Sequence, residues 1–171
     1  TGGEPMFPKI SFLRFLKQPL RLEGEHRGIH LQVYHYAISS GQSSTNYATV
    51  RTTVENEKDL EFKFSKAGIF SKVGKSLGMQ NVATGDERFD GLFIVKCSDP
   101  EFITQALLPQ VKERFFETWE THEAPGTISL KKDILSYDEV GTIRDEKTRR
   151  RAETVAALIC DMGGIVKFYN R

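Results

Sequence analysis

The sequence predicts an α+β fold: a mainly antiparallel β-sheet packed by three to four helices. Alternating apolar and polar residues, typical of strands with one solvated face, occupy the first third of the chain. Apolar residues at helical spacing dominate several later segments. The resulting order of elements lacks the regular strand–helix alternation that produces a parallel sheet.

The chain of 171 residues is long enough to bury one substantial core, and we expect a single α+β domain over residues 20–171. We expect residues 1–19 to be the remnant of an expression vector or a cut, followed by an amphipathic segment. Apolar and basic residues interleave at 7–18, which favours a short helix before Pro19. Such a helix either packs on the core or lies on a membrane surface.

Three strands are expected at 29–38, 47–54 and 60–64, forming an antiparallel meander with one solvated face. The polar run 39–46 predicts the turn between the first two strands. If 60–64 were an edge strand, it would offer a route to self-association.

A helix is expected at 69–77, ended by Gly78, and the nearly all-apolar segment 91–97 predicts a central strand. Residues 98–101 start the next helix, because they combine a capping side chain, a proline in the first turn and an acid at the positive helix end. Pro109 breaks or kinks this helix before a second apolar stripe.

Short strands are expected at 127–130 and 134–137, and residues 140–143 either extend the second strand or add a third. Asp145 is the expected cap of a last helix, and Gly163–Gly164 its expected end.

Composition excludes several classes of function. Hydrophobic residues make up 39% and charged residues 27%, which argues against disorder. Lys plus Arg is 24 and Asp plus Glu is 23, so a near-neutral chain argues against nucleic acid as a partner. The two cysteines form no disulfide framework and favour a reducing compartment, the cytoplasm or the cytoplasmic face of a membrane.

No motif predicts a cofactor or a metal. The segment Gly68–Ser76 ends in Gly-Lys-Ser, but five residues separate its two glycines where a phosphate-binding loop has four. His30 and His35 lie five apart on a predicted strand and so point to opposite faces, and no Cys-x-x-Cys pair exists.

A small hydrolase is the alternative function, using acidic residues near 86–90 or the thiol of Cys97. Cys97 precedes a helix N-terminus, a setting that can lower the pKa of a thiol, although a strand cysteine can equally be buried and inert. The acids can equally cap a turn. No complete catalytic set is present, so no catalytic residue is predicted.

Arg149, Arg150 and Arg151 form a basic run and are a candidate contact for an anion or a lipid headgroup. Residues 144–153 contain five basic and three acidic side chains. Three consecutive helical residues spread over about 200° of arc and cannot form one narrow stripe, so the alternative is an ordinary solvated helix face.

Five short motifs resemble those of bacterial domains of unknown function that are often attached to a membrane segment. These motifs lie at 22–28, 39–45, 85–90, 93–95 and 98–100. The resemblance covers residues 20–120 and implies a bacterial α+β domain, the soluble part of an anchored protein, with no activity to carry over. We therefore expect a binding or scaffold domain whose partner is an anionic membrane surface or another protein.

Overall fold

A computed structural model describes residues 21–68 and 79–171, and they confirm the α+β prediction. All neighbouring strands pair antiparallel. The eight strands are β1 (Arg21–His26), β2 (Ile29–Ser40), β3 (Ser43–Thr53), β4 (Phe62–Lys66), β5 (Gln80–Asn81), β6 (Phe93–Cys97), β7 (Thr127–Lys131) and β8 (Ile134–Val140). In space they follow the order β1-β2-β3-β8-β7-β4-β6-β5.

The described helices number four: α1 (Glu87–Leu92), α2 (Pro100–Ala106), α3 (Pro109–Phe116) and α4 (Glu146–Tyr169). A π-helical turn, Glu117–Thr121, extends α3. Asp99 caps α2 and Pro109 starts a new helix, as the sequence predicts. Across the described residues, no helix combines the length and the apolar character needed to cross a bilayer.

One face of the sheet carries the core, where rings from β4 and β6 meet rings from the helices. The stacked pair of Phe115 and Trp119, with centroids 5.5 Å apart, also packs edge-on against Phe93. Phe64 is fully buried against Phe115, and Phe62 is fully buried against Phe102 of α2. Such aromatic contacts add about 0.5–1.5 kcal/mol per pair to the burial of their surface.

The strand predicted at 60–64 does not continue the meander, and it is not an edge. β4 pairs with β7 on one side and β6 on the other, so the prediction of self-association through this segment is wrong. Alternation shows which side of a strand is buried but not which strands are its neighbours. The interior position of β4 follows from its two neighbours, β7 and β6, which come later in the chain.

The polar run 39–46 is not a long turn. β2 continues to Ser40 and β3 starts at Ser43, so only Gly41 and Gln42 form the loop. Gly41 has a φ of 61°, which suits the first position of a two-residue hairpin turn. Polar side chains do not stop backbone pairing when both strands lie in solvent.

Two helix boundaries differ from the expectation. α1 takes up Gly91 and Leu92, so the strand expected at 91–97 starts at Phe93. This strand, β6, is not central as predicted, because it lies between β4 and β5, the last strand in the described order. α4 runs past Gly163–Gly164 to Tyr169. Gly163 is buried within α4, and a Cβ on it would lie 3.5 Å from Val54 and 3.6 Å from Ile29, at ordinary van der Waals distance, so this glycine faces the sheet and does not end the helix.

Three sequence predictions lie outside the described residues: the helices at 7–18 and 69–77, and the Gly-Lys-Ser match at 74–76. The domain boundary at residue 20 likewise stays a prediction.

Candidate functional site

A two-stranded hairpin projects beyond the rest of the sheet, and we call its residues 37–46 the arm. Every residue of the arm is exposed. Among the described residues, the strands of the arm pair only with each other, because the described part of β1 begins opposite Tyr34 and β8 ends opposite Tyr47. It contains no charged residue, although natural sheet edges are usually protected by charges, proline or bulges.

The start of α4 is fastened to the base of the arm. The carbonyl of Asn46 accepts the N–H of Gly141 at 2.9 Å. His35 Nε2 accepts the N–H of Ile143 at 2.9 Å, and burial, followed by the charge of Arg144, lowers the pKa of this imidazole. Asp145 then caps the helix by accepting the N–H of Thr148 at 2.8 Å. We call the arm and residues 141–150 together the arm end.

The three arginines of the basic run do not share one surface. Arg149 binds Glu146 through two nitrogens and Glu153 through a third. Arg150 is exposed and donates from Nε to Glu146 at 2.8 Å. Arg151 turns into the protein, where only 12% of its side chain is exposed. Arg149 and Arg150 therefore stay candidates for an anion contact, whereas Arg151 serves the interior.

The structure places the thiol of Cys97 where it cannot readily act as a nucleophile. Its side chain is fully buried, and Sγ donates to the carbonyl of Asp99 at 3.1 Å. Burial is the main cause that raises the pKa of this thiol to about 11. The thiolate, which is the reactive form, is therefore scarce at neutral pH.

The acids near 86–90 have structural partners. Asp86 caps α1 by accepting the N–H of Phe89 at 3.0 Å and lies 3.0 Å from Lys112 Nζ. The Phe89 hydrogen bond, followed by Lys112, lowers the pKa of Asp86. Asp90 accepts both the N–H and the hydroxyl of Thr84. These contacts leave the hydrolase alternative without an acid–base pair in the part of the chain that the structure describes.

Metal-ligating side chains are likewise dispersed over residues 21–68 and 79–171. No three His, Cys, Asp or Glu side chains in these ranges come together in a way that would hold an ion.

A groove that the sequence did not indicate lies at the opposite end of α4 from the arm. It runs between α2, the C-terminal half of α4 and the turn joining β1 to β2, with a volume of about 460 Å³. Its apolar lining consists of Ile29, Phe102, Leu108, Ile165, Phe168 and Tyr169. We call this feature the groove.

The rim of the groove carries two unusually exposed apolar side chains, Phe168 at 77% and Leu108 at 47%. Cys160 also lines it, but burial, followed by the charge of Asp161, raises the pKa of that thiol to about 11. The groove is thus suited to holding an apolar group rather than to attacking one. A sequence signal did exist in Ile165, Phe168 and Tyr169, which continue the apolar pattern past the paired glycines.

No protein-family model matches the chain, and no curated protein sequence matches it. One solved structure is similar, that of the mycobacterial trehalose monomycolate transport factor A, TtfA. It shares 8% sequence identity at a TM-score of 0.49, with the alignment covering 82% of this chain and 71% of that chain. At this identity and TM-score the likeness carries no inference about fold or function.

Proposed function

We propose that this chain is a non-catalytic binding domain of a membrane-associated bacterial protein, and that its arm end faces the anionic surface of the membrane. The observation that carries the proposal is that two features of the molecule lie close together. The exposed arm and the start of α4 with its basic side chains both lie at one end of the sheet.

Apolar side chains support this orientation. Ile38 on the arm is 53% exposed and Val140 at the end of β8 is 64% exposed. Val140 pairs with Tyr47, which in turn pairs with Tyr36, so the three side chains form a cross-strand row. Exposed apolar and tyrosine side chains suit the boundary between headgroups and acyl chains.

The electrostatic contribution of the arm end is modest. Once Arg151 is assigned to the interior, residues 144–150 and Glu153 hold four basic and three acidic side chains. A basic residue near an anionic surface contributes about 1 kcal/mol, and that attraction is screened by salt. We therefore expect weak, reversible binding. The basic residues of the helix predicted at 7–18 are expected to strengthen it.

Vesicle co-sedimentation of the full chain tests the proposal. We expect retention on phosphatidylserine-containing vesicles at low salt, release at high salt, and no retention on phosphatidylcholine alone. The double variant Arg144→Gln/Arg150→Gln is expected to lower partitioning by about thirtyfold, since two charges contribute about 2 kcal/mol.

The matched control is Lys131→Gln/Lys167→Gln, which removes the same charge from exposed positions at the far end of the molecule. If both double variants lose binding equally, net charge rather than the arm end is responsible. Failure of the unaltered protein to bind anionic vesicles at low salt overturns the proposal outright.

A further inference from the structure

A cluster of charged side chains lies at one end of the groove. Asp161, on α4 at its edge, accepts from Arg27 Nη1 at 3.0 Å and lies 2.6 Å from Arg114 Nε. Two guanidinium groups therefore share one carboxylate. Among the described residues this cluster has a surplus of one positive charge beside an otherwise apolar lining.

The turn between β1 and β2 presents Arg27 to the groove. Arg27 and Gly28 have φ values of 52° and 76°, the pair of positive angles found in tight hairpin turns. The adjacent Ile29 lines the groove itself. The turn thus places Arg27 beside the groove, where its guanidinium is held by the ion pair with Asp161 and most of its side chain lies in solvent.

We propose that the groove binds a single-chain anionic amphiphile, such as a long-chain carboxylate. The alkyl chain lies between α2 and the C-terminal half of α4, over Phe102 and beneath Leu108 and Phe168. The carboxylate lies against Arg27, whose charge Asp161 only partly neutralises because it also serves Arg114.

The size of the groove favours this occupant over a protein segment. A volume of about 460 Å³ falls within the range of roughly 300–1,000 Å³ that is typical of small-molecule sites. The lining also has the composition of such sites, which are mainly apolar with a few polar groups that fix the ligand's orientation. A charge at one end and apolar rings along the rest match an amphiphile and neither a sugar nor a nucleotide.

Isothermal titration calorimetry of the full chain with dodecanoate, below its micelle concentration, tests the assignment. Dodecanol and dodecyltrimethylammonium provide the same alkyl chain with a neutral and a cationic head. We expect dodecanoate to bind most tightly, dodecanol more weakly and the cation weakest. Absence of dodecanoate binding, or equal affinity for all three, overturns the proposal.

Gly164 offers a position from which an added side chain can fill the groove. It lines the groove, and a Cβ placed on it meets no atom within 4 Å. Gly164→Phe is expected to abolish binding of both dodecanoate and dodecanol. Gly164→Ala, which adds only the Cβ, is expected to weaken binding of both ligands far less than Gly164→Phe does. Equal binding by the two variants would place the ligand elsewhere.

The role of Arg27 is separable from that of the apolar lining. Arg27→Asn removes the charge while supplying Asn-Gly, the preferred pair for this turn. We expect about tenfold weaker binding of dodecanoate and unchanged binding of dodecanol, because only the carboxylate loses a charge-assisted hydrogen bond. An equal loss for both ligands would contradict the assignment of the headgroup.

Light scattering with size-exclusion chromatography tests the other possible occupant of the groove, a second copy of the chain. A dimer that Gly164→Phe dissociates would overturn the amphiphile assignment. Because the titration uses ligand monomers rather than a bilayer, its outcome is independent of the vesicle experiment.

Discussion

Nη2 of Arg151 lies 2.8 Å from Oε1 of Glu139 in the interior of the protein, where it joins α4 to β8. The other carboxylate oxygen of Glu139 accepts the hydroxyl of Tyr137 at 2.5 Å. That hydroxyl accepts the N–H of Gly126 at 3.1 Å. Burial, followed by the charge of Glu139, raises the pKa of Tyr137. The chain of contacts fixes α4 against the sheet.

Removing Arg151 is expected to destabilise the fold far more than removing its neighbour. Arg151→Met leaves the carboxylate of Glu139, which is 5% exposed, without its cation, at a cost of about 3–5 kcal/mol. Arg150→Met removes an exposed ion pair and is expected to cost less than about 1 kcal/mol. Urea unfolding measures both, and equal costs would contradict the buried role of Arg151.

Removing the Tyr137 hydroxyl is expected to cost about 1–3 kcal/mol in the free energy of unfolding. In Tyr137→Phe, both the Glu139 carboxylate and the Gly126 N–H lose a buried partner. Tyr34→Phe is the control, because its ring lies half-exposed on the outer face of the sheet. Thermal and urea unfolding of the two variants give the comparison; a neutral Tyr137→Phe would disprove the argument.

Two glycines are expected to respond oppositely to alanine. A Cβ on Gly126 would lie 2.5 Å from the carbonyl oxygen of Asp138 and 2.5 Å from the Tyr137 ring, so Gly126→Ala is expected to cost about 3 kcal/mol. Gly164 has open space around it within a helix, so Gly164→Ala is expected to stabilise by about 0.5–1 kcal/mol. Unfolding midpoints that shift in the same direction would contradict this.

His35 is expected to make stability sensitive to acid. Its folded-state pKa lies below the ordinary value of 6.5, because burial and then Arg144 disfavour the charged form. The unfolded chain therefore takes up the proton first, and the stability from this group is complete above about pH 6.5 and declines as the pH falls through that value. Protonation also removes the acceptor for the N–H of Ile143.

The variant His35→Gln keeps an acceptor that does not titrate. We expect the free energy of unfolding of the unaltered protein to fall more between about pH 7.5 and about pH 5 than that of the variant. Parallel pH profiles for the two proteins would show that His35 is not responsible.

Both thiols are expected to resist labelling in the folded protein. Burial raises the pKa of Cys97 and of Cys160 to about 11, so neither supplies much thiolate near neutral pH. A disulfide reagent is expected to react slowly with the native protein and with both cysteines after denaturation. Rapid native labelling of Cys97 would restore the hydrolase alternative.

Local signals in the sequence predict most elements but not their arrangement. Asp99 with Pro100, and Asp145, start helices because capping is a local interaction between a side chain and nearby N–H groups. α1 is too short to show a helical period. Strand order depends on contacts between distant residues, so the interior place of β4, between β7 and β6, was not foreseeable from alternation.

For the candidate sites too, local signals in the sequence predict exposed residues but not contacts between distant elements. Arg149 and Arg150 are recognisable as surface residues, but the inward turn of Arg151 depends on Glu139, which lies on another element. The groove was missed because Gly163–Gly164 is a common helix stop. Tertiary packing of Gly163 against Val54 overrides that local preference, and the last turns of α4 then provide Ile165 and Phe168.

The position of β8 has a consequence for synthesis on the ribosome. Among the strands that the structure describes, the β1–β3 meander meets the rest of the sheet only through β8, whose last residue is Val140. In the nascent chain, the edge of β3 that pairs with β8 therefore stays unpaired until most of the polypeptide has emerged. Contacts of such sequence separation slow folding and leave unpaired strands open to aggregation. A chain that terminates before Ile134 lacks β8. It is expected to form two half-sheets that no strand connects, which chaperones or proteases must handle.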